Sequence, residues 1–425
     1  MELLKTAWNL ISMILNRALL VLSVYYVIIS FFGLIKFKDK KKYEPQKTFA
    51  MLVAAHNEEA VIKDIIDSLH NLDYPKELYD IFVIADNCTD KTAEVAESNG
   101  AIVCKRFNKE KRGKGYALEW MFDKLFKMEK KYDSVVILDA DNLVSRQFLK
   151  EMNNKLCQGY EVVQGYLDCK NPHDTWITGS YSISFWTSNR MGQLARNNLG
   201  LSCQLGGTGA CISTDLIKEL GWGATCLTED LEFTCKLVLN GKKVGWCHEA
   251  RIYDEKPLTL SQSWWQRKRW MQGYADVSSR YFFKLLKRAL FKREFTSLDC
   301  AIYSVQPIIF IITGVAMLMS FINNIANRLL GTNLGANNNT VIFGLSITVI
   351  AAIFGIIMQY IYTPFFLLLE KKFSWKILFY YIIYPVYFIT WLPISIQGIV
   401  DKNKKEWSHT QHTRSVNIKD LEKAN

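Results

Sequence analysis

Five short clusters in this 425-residue chain hold residue types with chemistry in them. Asp139-Ala140-Asp141 sets two carboxylates two residues apart; turned toward one point, they suit a hard divalent cation whose other ligands are substrate oxygens. Taken alone such a pair is common loop solvation, so its weight rests on position and company. Thr228-Glu229-Asp230 precedes the helical pattern LEFTCKLVL. Thr228 as a cap with acids in the first turn accounts for that pattern structurally, and a carboxylate there is also a candidate general base, Asp230 first and Glu229 next. In Asp86-Asn87-Cys88-Thr89-Asp90, Thr89 and Asp90 read as an Asx turn and helix cap, while Asp86, one step earlier, is placed to accept hydrogen bonds from a ligand. Arg112-Gly113-Lys114-Gly115-Tyr116 is a basic, glycine-rich turn opening a helix, and Arg112 and Lys114 at a helix N-terminus suit a phosphate. Gln266-Arg267-Lys268-Arg269-Trp270 places Gln266, Arg269 and Trp270 on one helical face by its i, i+3, i+4 spacing. That face offers an amide, a cation to offset charge on a leaving group, and an aromatic plate. Arg267 and Lys268 read as headgroup anchors.

These clusters need a scaffold that brings them together, and residues 48–255 provide one. FAMLVAAH (49–56), DIFVIAD (80–86), AIVCK (101–105) and SVVILD (134–139) are strands apolar on both faces, alternating with helical patterns to about His70, through Ser98 and around 115–128. That alternation predicts a mostly parallel, Rossmann-like sheet in an α/β domain. Ligands of such sheets bind at the carboxyl ends of the strands, where His56-Asn57-Glu58, Asp86-Asn87 and Asp139-Ala140-Asp141 fall.

Both ends of the chain are apolar. Ala18 to Ile35 is uncharged and long enough to span a hydrocarbon core; without a cleavage site it reads as an anchor. The lysine cluster in residues 36–47 marks the cytoplasmic side. Residues 301–322, 341–369 and 377–400 are further candidate spans, the last interrupted by Pro385 and Pro393. Counting three crossings puts the tail 401–425 outside, against its Lys402, Lys404, Lys405 and Arg414; a last segment re-entrant around its prolines, or an even number of crossings, would remove the conflict. The expected organisation is an anchor and basic linker (1–47), a cytoplasmic α/β domain (48–260), amphipathic interfacial helices (261–298), C-terminal spans (299–400) and a polar tail (401–425).

The net charge of +11 fits an anionic membrane surface and phosphate-bearing substrates. No RNP, zinc-finger or helix-turn-helix pattern points to nucleic acid. The ten cysteines show no CxxC pair or other zinc spacing, so Cys203, Cys211, Cys226, Cys235 and Cys247 read as reduced, buried fillers.

In order, AHNEE, ADNCTD, RGKGYAL, DAD, GGTGA (206–210), TED and QRKRW resemble the processive family 2 glycosyltransferases, the cellulose, hyaluronan and poly-N-acetylglucosamine synthases, over residues 48–275. The resemblance implies a GT-A fold, a UDP-sugar donor such as UDP-glucose or UDP-N-acetylglucosamine, Mg2+ or Mn2+, and inversion at the anomeric carbon by direct displacement. It makes Asp86 the nucleotide-contacting acid, Asp141 the metal-binding acid with Asp139 near the diphosphate, and Asp230 the base. Gln266, Arg269 and Trp270 become the QxxRW signature, and Gly207, Thr208 and Gly209 the loop near the acceptor sugar. Ala85 stands where the family's DDGSTD motif has its first acid, and no cyclic-di-GMP-binding domain follows the spans. The expected activity is extension of a β-linked polysaccharide exported through the chain's own helices, with accessory export subunits compatible; the alternatives are single transfer to a membrane lipid and a non-catalytic sugar-nucleotide binder.

Overall fold

A computed structural model describes residues 2–37, 41–223, 226–331 and 357–404, with positions 341–342, 345–346, 414, 416, 418 and 421. Its centre is an eight-stranded sheet of β1 (Phe49–Ala55), β2 (Tyr79–Asp86), β3 (Ile102–Arg106), β4 (Ser134–Asp139), β5 (Leu143–Val144), β6 (Val162–Cys169), β7 (Ala210–Ser213) and β8 (Gly245–Asp254), in the order β3-β2-β1-β4-β7-β6-β8-β5. The first four strands are parallel and match the sequence reading, whereas β7 runs antiparallel to β4 and β6. Register puts Ala55 opposite Ala85 and Ala54 opposite Asp139, so the polar ends of β1, β2 and β4 lie side by side.

Helices α2 (Ile62–His70), α3 (Thr92–Ser98), α4 (Lys114–Leu125), α5 (Phe148–Cys157), α6 (Trp176–Thr187), α7 (Ala195–Asn198), α8 (Thr214–Leu220) and α9 (Glu229–Leu239) cover the sheet. Apolar side chains fill both faces: Leu52, Ile84 and Ile137 pack with α4, and Met51, Val53 and Leu138 with α2 and α5.

The chain enters this domain from α1 (Glu2–Phe31). The helix starts earlier than the uncharged stretch suggests and stops before it ends. Side chains of the domain stop it: Arg190 donates to Gly33 O (2.9 Å) and Leu34 O (3.1 Å), and Asn198 to Phe32 O (2.7 Å) and Ile35 O (2.8 Å). These carbonyls are satisfied without a continuing helix. After β8 come α10 (Leu260–Lys292), α11 (Phe295–Ser304), α12 (Gln306–Leu330), α13 (Thr363–Leu369), α14 (Trp375–Ile389) and α15 (Trp391–Val400). By length and composition three stretches among the described residues can cross a membrane: Glu2–Phe31, Gln306–Leu329 and Trp375–Val400. The span expected at 301–322 is thus shifted, α11 ending at Ser304 before α12 begins. Of the span expected at 341–369, residues 343–344 and 347–356 lie outside the described residues. Val341–Ile342 and Leu345–Ser346 pair as a short antiparallel ribbon, and the chain is helical again by Met358.

The last apolar segment is one of these three candidate spans. It breaks at Thr390, with Pro385 inside α14 and Pro393 inside α15. Along its whole length it touches α10 or the α6 region. Tyr380 donates to His173 O (3.3 Å), Tyr384 meets Ser184 (2.9 Å), Arg267 donates to Thr390 (2.8 Å) and Trp264 to Gln397 (2.9 Å). Lys268 pairs with Asp401. Beyond it, Arg414 N donates to Glu255 (3.2 Å), and Ile418 is buried with Leu143 and Tyr253. These tail positions lie against the domain, which a last segment re-entrant around its prolines and an even number of crossings would each allow.

Candidate functional site

The site is built where strand ends, the start of α9 and the first turns of α10 meet. Lys114, the first residue of α4, forms an ion pair with Asp139 and donates to Gly207 O (2.7 Å). Burial alone would pull its pKa down; Asp139, Glu229 and Asp230 outweigh that and hold it above the ordinary lysine value. Glu229 and Asp230 open α9 beside a narrow cavity walled by Leu118, Ile137, Leu205 and Trp222. This apolar wall raises the proton affinity of both carboxyls. For Glu229 the charge of Asp230 adds to the effect, while for Asp230 the Leu231 N–H (2.8 Å) and Lys114 act against it. Gly207 has φ +78°, a left-handed backbone conformation that favours glycine, and it passes close to the Asp230 carboxylate.

Thr228 does not cap α9 with its side chain. It packs against Gly273 of α10, where an added Cβ would meet Thr228 Oγ1 at 2.3 Å. The acid pair is thus pressed onto the helix that carries Gln266, Arg269 and Trp270. Arg269 is half-buried. Burial lowers its pKa, and Glu229, Asp139 and Asp230 act to restore its charge, which places the guanidinium within reach of the acids' field. Gln266 accepts from Tyr181 OH (2.9 Å), and Trp270 packs edge-on to Tyr181, ring centroids 6.0 Å apart, and beside Phe185. Arg267 corrects the headgroup reading. It is fully buried, its guanidinium 4.2 Å from the ring centre of Tyr387 and 5.0 Å from that of Trp391. Lys268 is likewise engaged, with Asp401.

Asp86, at the end of β2, is ion-paired with Arg106, whose other nitrogen donates to Lys111 O (2.7 Å). Arg112 stands exposed on the same loop, away from the acids that Lys114 meets. Thr208 turns inward, donating to Asn142, and Gln164 donates to its carbonyl (2.8 Å); Gly209 (φ +68°) closes the loop. Thr208 thus anchors the Gly207 turn to the loop after β4.

Asp141 is buried and accepts from Asn142 (3.2 Å) and from Glu255 N (3.2 Å). Beside it Asp254, the last residue of β8, keeps Oδ1 buried with no hydrogen-bond partner among the described residues. Burial, and then Asp141 and Asp139, raise its pKa against the pull of Lys256. Among the described residues no three His, Cys, Asp or Glu side chains are gathered to hold an ion unaided. Carboxylates with an orphaned oxygen and an incomplete ligand set fit a Mg2+- or Mn2+-type ion completed by phosphate oxygens. Sequence reading missed Asp254, Arg106 and Tyr181. Asp254 obeys the same strand-end rule as Asp139 and would follow from recognising β8; Arg106 and Tyr181 carry no local signal.

Acidic side chains converging from several strand ends on a lysine and an arginine, on a sheet of this topology, define a GT-A glycosyltransferase. The fold is similar to that of the mannosyltransferase PcManGT from Pyrobaculum calidifontis, solved with GDP-Man and Mn2+: TM-score 0.61, 17% identity, covering 94% of this chain and 100% of that one. The chain belongs to the glycosyltransferase-like family 2, whose profile matches residues 45–273. It is 28% identical over 271 residues to YdaM of Bacillus subtilis, itself named a probable glycosyltransferase (60% of this chain, 62% of that one). It is 26% identical over 263 residues to a beta-monoglucosyldiacylglycerol synthase of Nostoc sp. (58% and 53%). With a poly-beta-1,6-N-acetyl-D-glucosamine synthase of Staphylococcus aureus it shares 29% over 249 residues (56% and 58%). The match spans less than two thirds of each of these relatives.

Proposed function

We propose that this family 2 glycosyltransferase transfers a sugar from a UDP-sugar, UDP-glucose or UDP-N-acetylglucosamine, with inversion, to the growing end of a β-linked polysaccharide at the cytoplasmic face of the cell membrane. The observation that carries the reading is the meeting of Lys114, Asp139, Glu229, Asp230 and Arg269 in one field, beside the Trp270 aromatic face. In the displacement the acceptor oxygen attacks C1 of the sugar and its proton passes to the Asp230 carboxylate. The bond from C1 to the phosphate oxygen breaks, and the diphosphate leaves with both electrons. Arg269 offsets the charge growing on it, and Lys114 holds the Gly207 loop and Asp139 in place. Asp139 and Asp141, with Asp254 next to them, would hold Mg2+ or Mn2+, which supplies Lewis-acid stabilisation of the leaving group. Asp86 takes the nucleoside, Arg112 reaches the phosphates from the loop, and Trp270 with the Gly207-Thr208-Gly209 turn borders the acceptor sugar.

Purified protein with radiolabelled UDP-sugar should yield high polymer; label found only in the organic-solvent phase would replace polymer extension with transfer to a lipid. One observation favours that second reading. The α14–α15 segment lies along the domain beside the Trp270 cluster, a position from which a lipid in the headgroup plane could offer its hydroxyl. Asp230→Asn should cut transfer by at least about a thousandfold while UDP still binds; unchanged turnover would remove Asp230 as base.

A further inference from the structure

Lys170 follows β6 and is 3% exposed. Its backbone N–H is fixed on Asp254 O (2.8 Å). Burial lowers the pKa of its ammonium group, the charges of Asp141, Glu255, Asp64 and Asp254 act against that, and Nζ donates to no described residue. Two other buried polar atoms without a hydrogen-bond partner belong to these acids, Asp64 Oδ2 and Asp254 Oδ1. A buried ammonium with unspent donors is costly, and one surrounded by carboxylates is held by field rather than by a directed bond. Lys256, the second cation here, is committed to Asp254 (2.6 Å).

We propose that Lys170 is a positioning residue for the cation site: an internal cation that keeps Asp141, from the loop after β4, and Asp254, from the end of β8, together before an ion arrives and limits how tightly the site then holds it. The inference rests on reading Asp139 and Asp141 as the cation-holding pair. Removing the Lys170 charge strengthens the field felt by an entering dication and weakens the ion-free cluster, because acids that repel one another lose their counter-charge.

The experiment titrates the full chain in detergent with Mn2+ alone, reading free Mn2+ by electron paramagnetic resonance, and follows thermal unfolding in EDTA and in Mn2+. Lys170→Met should bind Mn2+ at least about tenfold more tightly than the unaltered chain. It should also lose several degrees of Tm in EDTA and regain most of them in Mn2+. Lys170→Arg should stay close to the unaltered chain. Should Lys170→Met not fold, Asp64→Asn reads the same field with opposite sign, weakening Mn2+ binding about tenfold. Equal Tm losses with and without Mn2+, or an unchanged Mn2+ affinity in Lys170→Met or Asp64→Asn, would overturn the role of Lys170. No Mn2+ binding by the unaltered chain would instead overturn the reading of the site itself.

Discussion

Glu229 and Asp230 share one apolar wall and one lysine, so neither ionises without the other responding. Burial, and for Glu229 the charge of Asp230, hold a proton on Glu229 up to about pH 7 and on Asp230 up to about pH 6, whereas the unfolded chain releases them in the ordinary carboxylate range. The folded state therefore binds more protons between pH 4.5 and 7, and the contribution of this pair to stability falls as pH rises through that window. Urea titrations of the unaltered chain and of Glu229→Gln should show it: the variant should lose less stability between pH 5 and 7. In activity the same pair gives a rising limb, because the base must lose its proton before it can take one. Glu229→Gln removes the neighbouring charge, so the limb should move to lower pH; an unmoved limb would mean that another group governs it. Arg267 makes a separate point at this scale. A run of basic and aromatic residues has the same spelling whether it faces lipid headgroups or stacks on Tyr387 and Trp391. Partners more than a hundred positions away decide which.

Among the elements, α10 carries the heaviest duty, since its first three turns present Gln266, Arg269 and Trp270 and then yield to Thr228 at Gly273. Gly273→Val should push the start of α9 off its seat, at a cost of about 1–3 kcal/mol from overpacking and a loss of turnover larger than the change in donor affinity. Comparable losses of both would reduce Gly273 to a packing position. The four parallel strands are legible in the sequence because each is apolar on both faces and ends in polar residues. Strands β6 and β8 are not. Gln164 and Asp168 interrupt β6, and what makes them tolerable there is remote: Gly206 N–H donates to Gln164 (3.0 Å), and Trp186 (2.7 Å) and Lys372 (2.9 Å) reach Asp168. Period and composition carry no trace of such partners. The chemistry-bearing clusters are read more fully than the strands between them, since acids and cations at turns keep their local spelling; which way each turns, as with Thr208, comes only with the fold.

For the molecule as a whole, contact of Arg414 and Ile418 with the domain predicts which parts of the chain share a side. Cysteines placed at Trp375 and Lys402, both exposed, should react with a membrane-impermeant maleimide from the same face as one placed at Lys109 in the catalytic domain. Labelling of the two ends from opposite faces would make the segment a crossing. Length and composition let this segment span a membrane; they do not register which of its apolar side chains pack on α6, α10 and α12.

The turn after α13 ties these two halves with charge. Glu370 holds Arg190 (2.6 Å) and His248 (3.3 Å), Lys372 holds Asp168, and Arg190 at the same time grips the carbonyls that end α1. A soluble fragment trimmed after residue 298 would leave buried Arg190 without Glu370 and buried Arg196 without Asp299, at about 3–5 kcal/mol for each severed pair. Such a truncation should aggregate or melt early even though every catalytic side chain is retained. Chimaeras between relatives will succeed only when the 370–372 corner and its sockets are exchanged as a set.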